Sequence, residues 1–241
     1  MAIESKATEA SATTEEYLEA IYNIGMEGDP VIGARLAEKF RVAPPTVTQT
    51  LQRLVKNGYV AMDRRRHVTL TPAGVELAEA VLRRHRLTER FLVDMLGMQW
   101  HEVHEEACRL EHRISGAVEA HVVAALNHPT TCPHGNPIPG YVPSARTYLA
   151  DQGALRLREA AIGAPVKILL VSEVVEDEEE LIDYLHERGL TPGTALALAA
   201  VSDEDGTADL RVGERMVTVP VRVAHALWVV PVVNRSPAGA P

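Results

Sequence analysis

The 241-residue chain shows no Ser/His/Asp order, no phosphate-cradling glycine loop and no dinucleotide fingerprint, so three large classes of enzyme chemistry have no residue set here. It has only two cysteines, Cys108 and Cys132. That is too few for a disulfide scaffold, and in a reducing compartment free thiols or metal thiolates are expected. No stretch approaches the roughly 18 consecutive apolar residues of a membrane helix. The N-terminal run MAIESKATEASATTEE has neither a basic start nor an apolar core, so a cytoplasmic protein with no membrane partner is expected. Positive charge is scarce as well. The net charge is −9, which excludes a uniformly basic nucleic-acid binder.

What is present is unevenly distributed. Residues 33–70 hold eight Lys or Arg (Arg35, Lys39, Arg41, Arg53, Lys56, Arg64, Arg65, Arg66) against two acids (Glu38, Asp63), a local excess of six. Residues 1–12 lack periodicity and read as a disordered tail. Residues 13–71 then carry three helical patterns, at 14–27, 32–40 and 45–57, with the last two joined by Arg41-Val42-Ala43-Pro44. A basic tip, Asp63–Arg66, lies between 59–62 and 67–70 and reads as a β-hairpin. The outline is a winged helix-turn-helix.

Residues 72–140 begin with a helical stripe over 72–96, long enough to join such a head to a dimerisation surface, and continue with helices at 101–115 and 117–127. A Pro- and Gly-rich loop follows at 131–140. Residues 141–154 read as a linker. From 155 to 235 the chain turns to short β-branched runs with one helix at 178–188, a pattern that predicts a small β-barrel. The expected class is mainly α with a small β domain.

Within 101–115, His104, Cys108, Glu111 and His112 stand at relative positions 0, +4, +7 and +8, which stacks four metal-capable groups on one helical face. Singly, such residues are ordinary packing or surface. A second pair four apart, His85 and Glu89, sits on the preceding helix. Imidazole, carboxylate and one thiolate make a site of middling hardness, suited to Fe²⁺, Mn²⁺, Co²⁺, Ni²⁺ or Zn²⁺ rather than Ca²⁺ or Mg²⁺.

The stretches His104–His112, Arg84–Arg90, Gly135–Gly140, Thr14–Tyr22 and Pro45–Thr50 closely resemble the diphtheria toxin repressor/iron-dependent regulator family, in register over about residues 13–235. The resemblance implies a homodimeric repressor with two metal sites per subunit, activated by Fe²⁺ or Mn²⁺, with Co²⁺, Ni²⁺ or Zn²⁺ able to substitute. By position, one site would use Cys108, Glu111 and His112 with Glu16 of helix one. The other would use His85, Glu89 and His104 with Glu173 and Glu176 of a C-terminal SH3-like domain similar to the small domains of ferrous-iron transport proteins. Glu16 stands where iron sensors have methionine and manganese sensors aspartate, so a hard ligand is set beside the soft Cys108. Glu19 matches a further carboxylate of the manganese branch. Cys132 and His134 resemble a Cys-Pro-His that some manganese-responsive members use.

On the DNA side, Pro45, Thr46, Thr48 and Gln49 begin the second helix of the motif, whose N-terminal part enters the major groove in such proteins. Glutamine pairs with adenine and threonine methyls suit thymine methyls, so an A/T-rich, palindromic operator is expected. Arg41, Arg53 and Arg64–Arg66 would meet phosphates. Two other classes use the same residues: a metalloenzyme or metal chaperone, and a winged-helix regulator sensing another ligand. Metal titration of operator binding separates all three. A polyproline-binding role for the barrel would need an aromatic-lined groove, and beyond Tyr184 it offers only Trp228.

Overall fold

The computed structural model describes residues 11–175 and 177–232. The expected tail lies mostly outside these residues, as do Glu176 and positions 233–241.

Helix α1 (Ala12–Met26) starts at Ser11, whose hydroxyl accepts from the Thr14 backbone N–H and satisfies one of the open donors of the first turn. Helix α2 (Gly33–Phe40) ends at Arg41 in the left-handed region (φ 52°), and α3 (Pro44–Lys56) opens with proline where a missing N–H costs nothing. Strands β1 (Val60–Met62) and β2 (Val68–Leu70) pair antiparallel, with Val60 opposite Leu70. Leu18, Leu36 and Leu54 are fully buried in the core these elements share. Each such side chain contributes about 1.5–3 kcal/mol. The winged head follows from their spacing.

Helix α4 (Pro72–Asp94) is the spine, 23 residues long and capped by Thr71. Gly74 lets it pass the wing, because a Cβ there would lie 2.0 Å from the Tyr59 carbonyl oxygen. Its first half packs Ala78 and Leu82 into the head core, and Leu87 meets Val123 and Ile138 further along. Helix α5 (His104–Glu111) is shorter than the expected 101–115, with His112 at its C-cap. Helix α6 (Gly116–Ala125) restarts after Ser115, whose hydroxyl caps it. The 141–154 segment holds the short helix α7 (Tyr148–Asp151) and buries Ala145 and Leu149.

The C-terminal part contains β3 (Leu155–Arg156), β4 (Pro165–Val171), α8 (Glu178–Arg188), β5 (Ala195–Ser202), β6 (Thr207–Val212), β7 (Arg215–Pro220), α9 (Val221–Ala226) and β8 (Leu227–Pro231). The expected SH3-like barrel is not formed. The strands make one antiparallel six-stranded sheet in the order β3-β8-β4-β5-β6-β7, with β3 and β7 as unpaired edges. After β7 the chain enters α9, which delivers β8 between β3 and β4, while β3 is only two residues long. Alternating runs specify strands and their buried face but carry no information on whether first and last strand meet.

This sheet domain is tied to both other parts. Trp100, from the turn between α4 and α5, packs against its core. Gly135 (φ +88°) brings the 131–140 loop onto β4, where any Cβ would lie 2.1 Å from the Leu169 carbonyl oxygen. Head and sheet domain share Met26, Leu149, Leu170 and Trp228 in one cluster, and Arg156 bridges Glu27 and Asp29.

Candidate metal centres and nucleic-acid interface

Helix α4 sets His85 and Glu89 one turn apart, and the ring of His85 faces two ways. Its Nε2 lies 3.2 Å from Glu89 Oε1, and its Nδ1 lies 2.5 Å from Glu111 Oε2. Two groups of ligands diverge from this imidazole.

The inner group is buried between α4, α5 and the sheet domain. Glu89 is fully inaccessible, and its Oε1 lies 3.0 Å from His134 Nδ1 and 3.5 Å from His104 Nδ1. The thiol of Cys132 completes a cluster with Glu89 and His134 whose ligand atoms lie within 4.8 Å of one another. Glu178, the first residue of α8, brings its Oε1 within 3.5 Å of His104 Nδ1. None of these close approaches satisfies the imidazole nitrogens. Among the described residues, Glu89 Oε2, His104 Nδ1 and His134 Nδ1 are buried without a hydrogen-bond partner. His134 Nε2 lies 2.8 Å from the Trp100 carbonyl oxygen and donates to it, which directs the Nδ1 lone pair into the cluster. Ligands about 2.1 Å from one cation, at tetrahedral or octahedral angles, stand about 3.0–3.4 Å apart. The Glu89–His134 separation falls in that range and the two His104 approaches at 3.5 Å lie just outside it, so the imidazole–carboxylate–thiol set has the chemistry and nearly the spacing to hold a divalent metal.

The outer group lies at the joint with the head. Cys108 Sγ sits 3.7 Å from His104 Nε2 and 4.0 Å from His85 Nδ1. Glu111 Oε1 lies 3.2 Å from His112 Nε2, and His112 Nδ1 meets Glu15 Oε2 at 2.6 Å. Enclosure is mixed here: Cys108 is exposed and the His112 side chain is 23% accessible, close to the 22% of His104 in the inner group, while Glu111 is buried.

The electrostatics agree. Burial opposes charge on His85, but Glu89, with Cys108 and Glu111, outweighs it and holds the pKa well above the ordinary imidazole value. The same balance of burial against Glu178, Cys108 and Glu89 raises His104, and burial against Glu89 raises His134. Burial favours a neutral Glu89, yet His134 and His85 hold it well below the usual carboxylate range. Burial likewise works against a thiolate at Cys108, while His104 and His85 lower its pKa. Cys132 is pushed well up by burial, then by Glu89 and Glu173. Glu19 is raised well above normal by burial and by Glu111. Protons occupy ground that a cation would take.

The structure therefore brings together His85, Glu89, His104, Cys108, Glu111 and His112, with Cys132 and His134 joining the inner group. Glu16 and Glu173 stand elsewhere. Glu16 is exposed and makes no hydrogen bond or ion pair with the cluster among the described residues. Helical periodicity explains this, since Glu15, Glu19 and Asn23 share one stripe and Glu16 lies about 100° away from Glu15. Glu173 is engaged by the fully buried Arg86 (Oε2 to NH2, 2.6 Å) and by Asn23 (2.8 Å), which leaves its carboxylate committed. Glu176 lies outside the described residues. Sequence reasoning missed Glu15 and Glu178. The i, i+4 spacing of Glu15 and Glu19 was a readable signal, whereas Glu178 was hidden in a run of acids.

In the head, Pro45, Thr46, Thr48, Gln49 and Arg53 of α3 are exposed, as are Arg64, Arg65 and Arg66 in the β1–β2 turn. Arg66 adopts φ 64° there. Arg41 is exposed as well, but its NH2 is engaged in a surface ion pair 2.9 Å from Asp177.

Three family models match in sequence order. Residues 9–68 match the iron dependent repressor N-terminal DNA binding domain, 71–140 its metal binding and dimerisation domain, and 155–231 the FeoA domain. The iron-dependent repressor of Mycobacterium leprae is 40% identical over 224 residues, covering 90% of this chain and 96% of the relative. The diphtheria toxin repressor of Corynebacterium jeikeium is 37% identical over 233 residues, covering 90% and 96%. Among solved structures, a manganese-dependent transcriptional repressor in complex with manganese superposes with a TM-score of 0.77 at 31% identity, covering 91% of this chain and all of that one.

Proposed function

The chain belongs to the family of iron- and manganese-dependent transcriptional repressors, and from that membership we propose that its two ligand groups gate the exposed end of α3 onto DNA. The protein is a metal-activated, DNA-binding repressor that senses Fe²⁺ or Mn²⁺, and not an enzyme. The observation that carries the residue-level reading is the set of buried, unpartnered ligand atoms, Glu89 Oε2, His104 Nδ1 and His134 Nδ1, beside a second group that touches the head.

The inner centre comprises Glu89, His104, Cys132 and His134. The outer centre comprises Cys108, Glu111 and His112 with carboxylates of α1. His85 stands between the two. Bound cations would supply positive charge that joins carboxylates from different parts of the chain. Without it, burial and the neighbouring Glu111 hold the Glu19 pKa well up, so its carboxyl resists ionising at the head joint until a cation offsets the charge. Glu15 and His112 hold a default contact across the same joint. A ligand shifts such an equilibrium only by its differential affinity for the two arrangements, and a site built from both sides of a joint provides that difference. Glu16, exposed on α1, contributes to the outer centre only if the head turns.

The repressor acts as a homodimer, and its pairing surface is the apolar groove of Phe91, Ala117, Val118, Val122 and Ala125 on α4 and α6. Two heads then address a palindromic operator. Gln49 reads adenine, Thr46 and Thr48 meet thymine methyls, and Arg53 with Arg64–Arg66 holds phosphates. Arg41 joins them when its bond to Asp177 opens. No helix among the described residues is long and apolar enough to cross a membrane, in keeping with a DNA-binding role in the cytoplasm.

The test is selection of duplexes from a random library at fixed salt, followed by gel shifts across Mn²⁺, Fe²⁺, Co²⁺ and Zn²⁺. Recovery of an A/T-rich inverted repeat, shifted only with metal, is expected. Equal binding in a chelator removes the reading. Arg65→Ala should weaken all sequences alike and lower the salt slope by about one.

A further inference from the structure

The inner centre lacks a carboxylate from the sheet domain if Glu173 stays with Arg86, and Glu178 stands where one is needed. It opens α8, and its side chain is only 8% accessible. Its Oε1 lies 3.5 Å from His104 Nδ1, a nitrogen flanked at 3.5 Å by Glu89 Oε1 as well and hydrogen-bonded to neither. Its Oε2 points the other way, 3.4 Å from Nζ of Lys39 on α2 of the head. Lys39 also donates to the carbonyl oxygens of Glu173 (2.5 Å) and Val175 (3.3 Å), and Arg41 reaches Asp177 beside it. One carboxylate thus approaches His104, beside the inner cluster, with one oxygen and the DNA-binding head with the other.

We propose that Glu178 is the sheet domain's ligand to the inner centre, and that through Lys39 it fixes the position of helix α2 of the head. This rests on the metal-sensing reading above. Glu178 approaches His104 Nδ1 at close to the distance expected of two ligands on one cation, off hydrogen-bond geometry, and no other described group claims its Oε1. Glu173 already has three hydrogen bonds from Arg86 and Asn23, and withdrawing it would leave a fully buried guanidinium uncompensated. A centre that includes Glu178 couples all three parts of the chain. The head is then held by metal at two points, α1 at the outer centre and α2 through Lys39.

The experiment titrates full-length, chelator-treated protein with Co²⁺ and with Mn²⁺. It follows the Co²⁺ absorption bands, the heat of binding and the fluorescence of Trp100, whose carbonyl bonds His134. Wild type should show two binding events per chain. Glu178→Gln, nearly isosteric, should weaken one of them about 10–100-fold and leave the other in place, and Glu178→Asp should do the same. Lys39→Met should leave both affinities within about threefold, yet speed amide exchange in residues 33–41 of the loaded protein, as Glu178→Gln also does. Circular dichroism checks that each variant is folded. Two wild-type events in Glu178→Gln, or weakening by Glu173→Gln or Glu176→Gln instead, would overturn the assignment while leaving metal sensing intact. No Co²⁺ bands in the wild-type protein would instead remove the sensing reading itself.

Discussion

The two ligand groups share His85 but differ in what surrounds them. Around the inner one, Glu89 and His134 are about as inaccessible as any residues in the protein, and their neighbours come from α4, the 131–140 loop and α8. Around the outer one, Cys108 is exposed, and Glu15 of the head meets His112 of the dimerisation part in a hydrogen bond. A buried cluster of fixed geometry has little to move when a cation enters, so it stabilises. A cluster across a joint changes the joint. On the proposed reading the two differ in degree: the inner centre acts mainly on stability and reaches the head only through Glu178 and Lys39, whereas the outer one acts on the head joint directly.

Four expected outcomes sharpen or break this comparison. The largest concerns Glu89, whose removal leaves His85, His104 and His134 without their shared carboxylate. Glu89→Ala should cost about 3–5 kcal/mol of stability in chelator, read as a fall in denaturant midpoint. A loss under about 1 kcal/mol would mean the inner group is not a structural element. Next comes Cys108→Ser, which should leave stability nearly unchanged and lower metal-dependent operator affinity about 10–100-fold. Equal loss of stability in both variants would erase the distinction between the centres.

A smaller effect separates the carboxylates of α1. Glu19→Gln should raise the metal concentration needed for half-maximal operator binding several-fold, and Glu16→Gln less. The reverse order in gel shifts would show that the head turns on loading to bring Glu16 inward.

The last is a pH dependence. His85, His104 and His134 have raised pKa values, so protons must leave before their nitrogens can bind a cation. Apparent metal affinity should therefore climb as pH rises above the ordinary imidazole value of about 6.5. In chelator the sign for stability is opposite. Groups with folded pKa values above the unfolded one stabilise fully below about pH 6.5 and lose that contribution as pH passes the folded value. Metal-free protein should soften with rising pH while loaded protein does not, measured by paired thermal melts.

The head was legible because each of its devices is local. Apolar spacing in α1 to α3, Pro44 at a helix start and the basic turn between two short strands each announce themselves within a few residues. The His104–His112 stripe was legible for the same reason. Its extent was not, because α5 stops at Glu111 under the demands of the following turn, so His112 becomes a cap instead of a helical residue. Choosing Glu16 over Glu15 and Glu19 on α1 needed the rotation of that helix against α4, a tertiary quantity. The barrel expectation failed because closure depends on where α9 sends the last strand.

By itself, the sequence determined the order of the three parts, the reading face of α3, and the pool of imidazole, thiolate and carboxylate from which the centres are drawn. All of these rest on spacings of three or four residues. Only the tertiary structure decided which carboxylates stand beside that pool. Glu173 is taken by Arg86, Glu178 is set between His104 and Lys39, and Glu15 meets His112, each across more than 70 residues of chain. Pairing at that range is governed by what packs against what, and neither charge nor local periodicity encodes it.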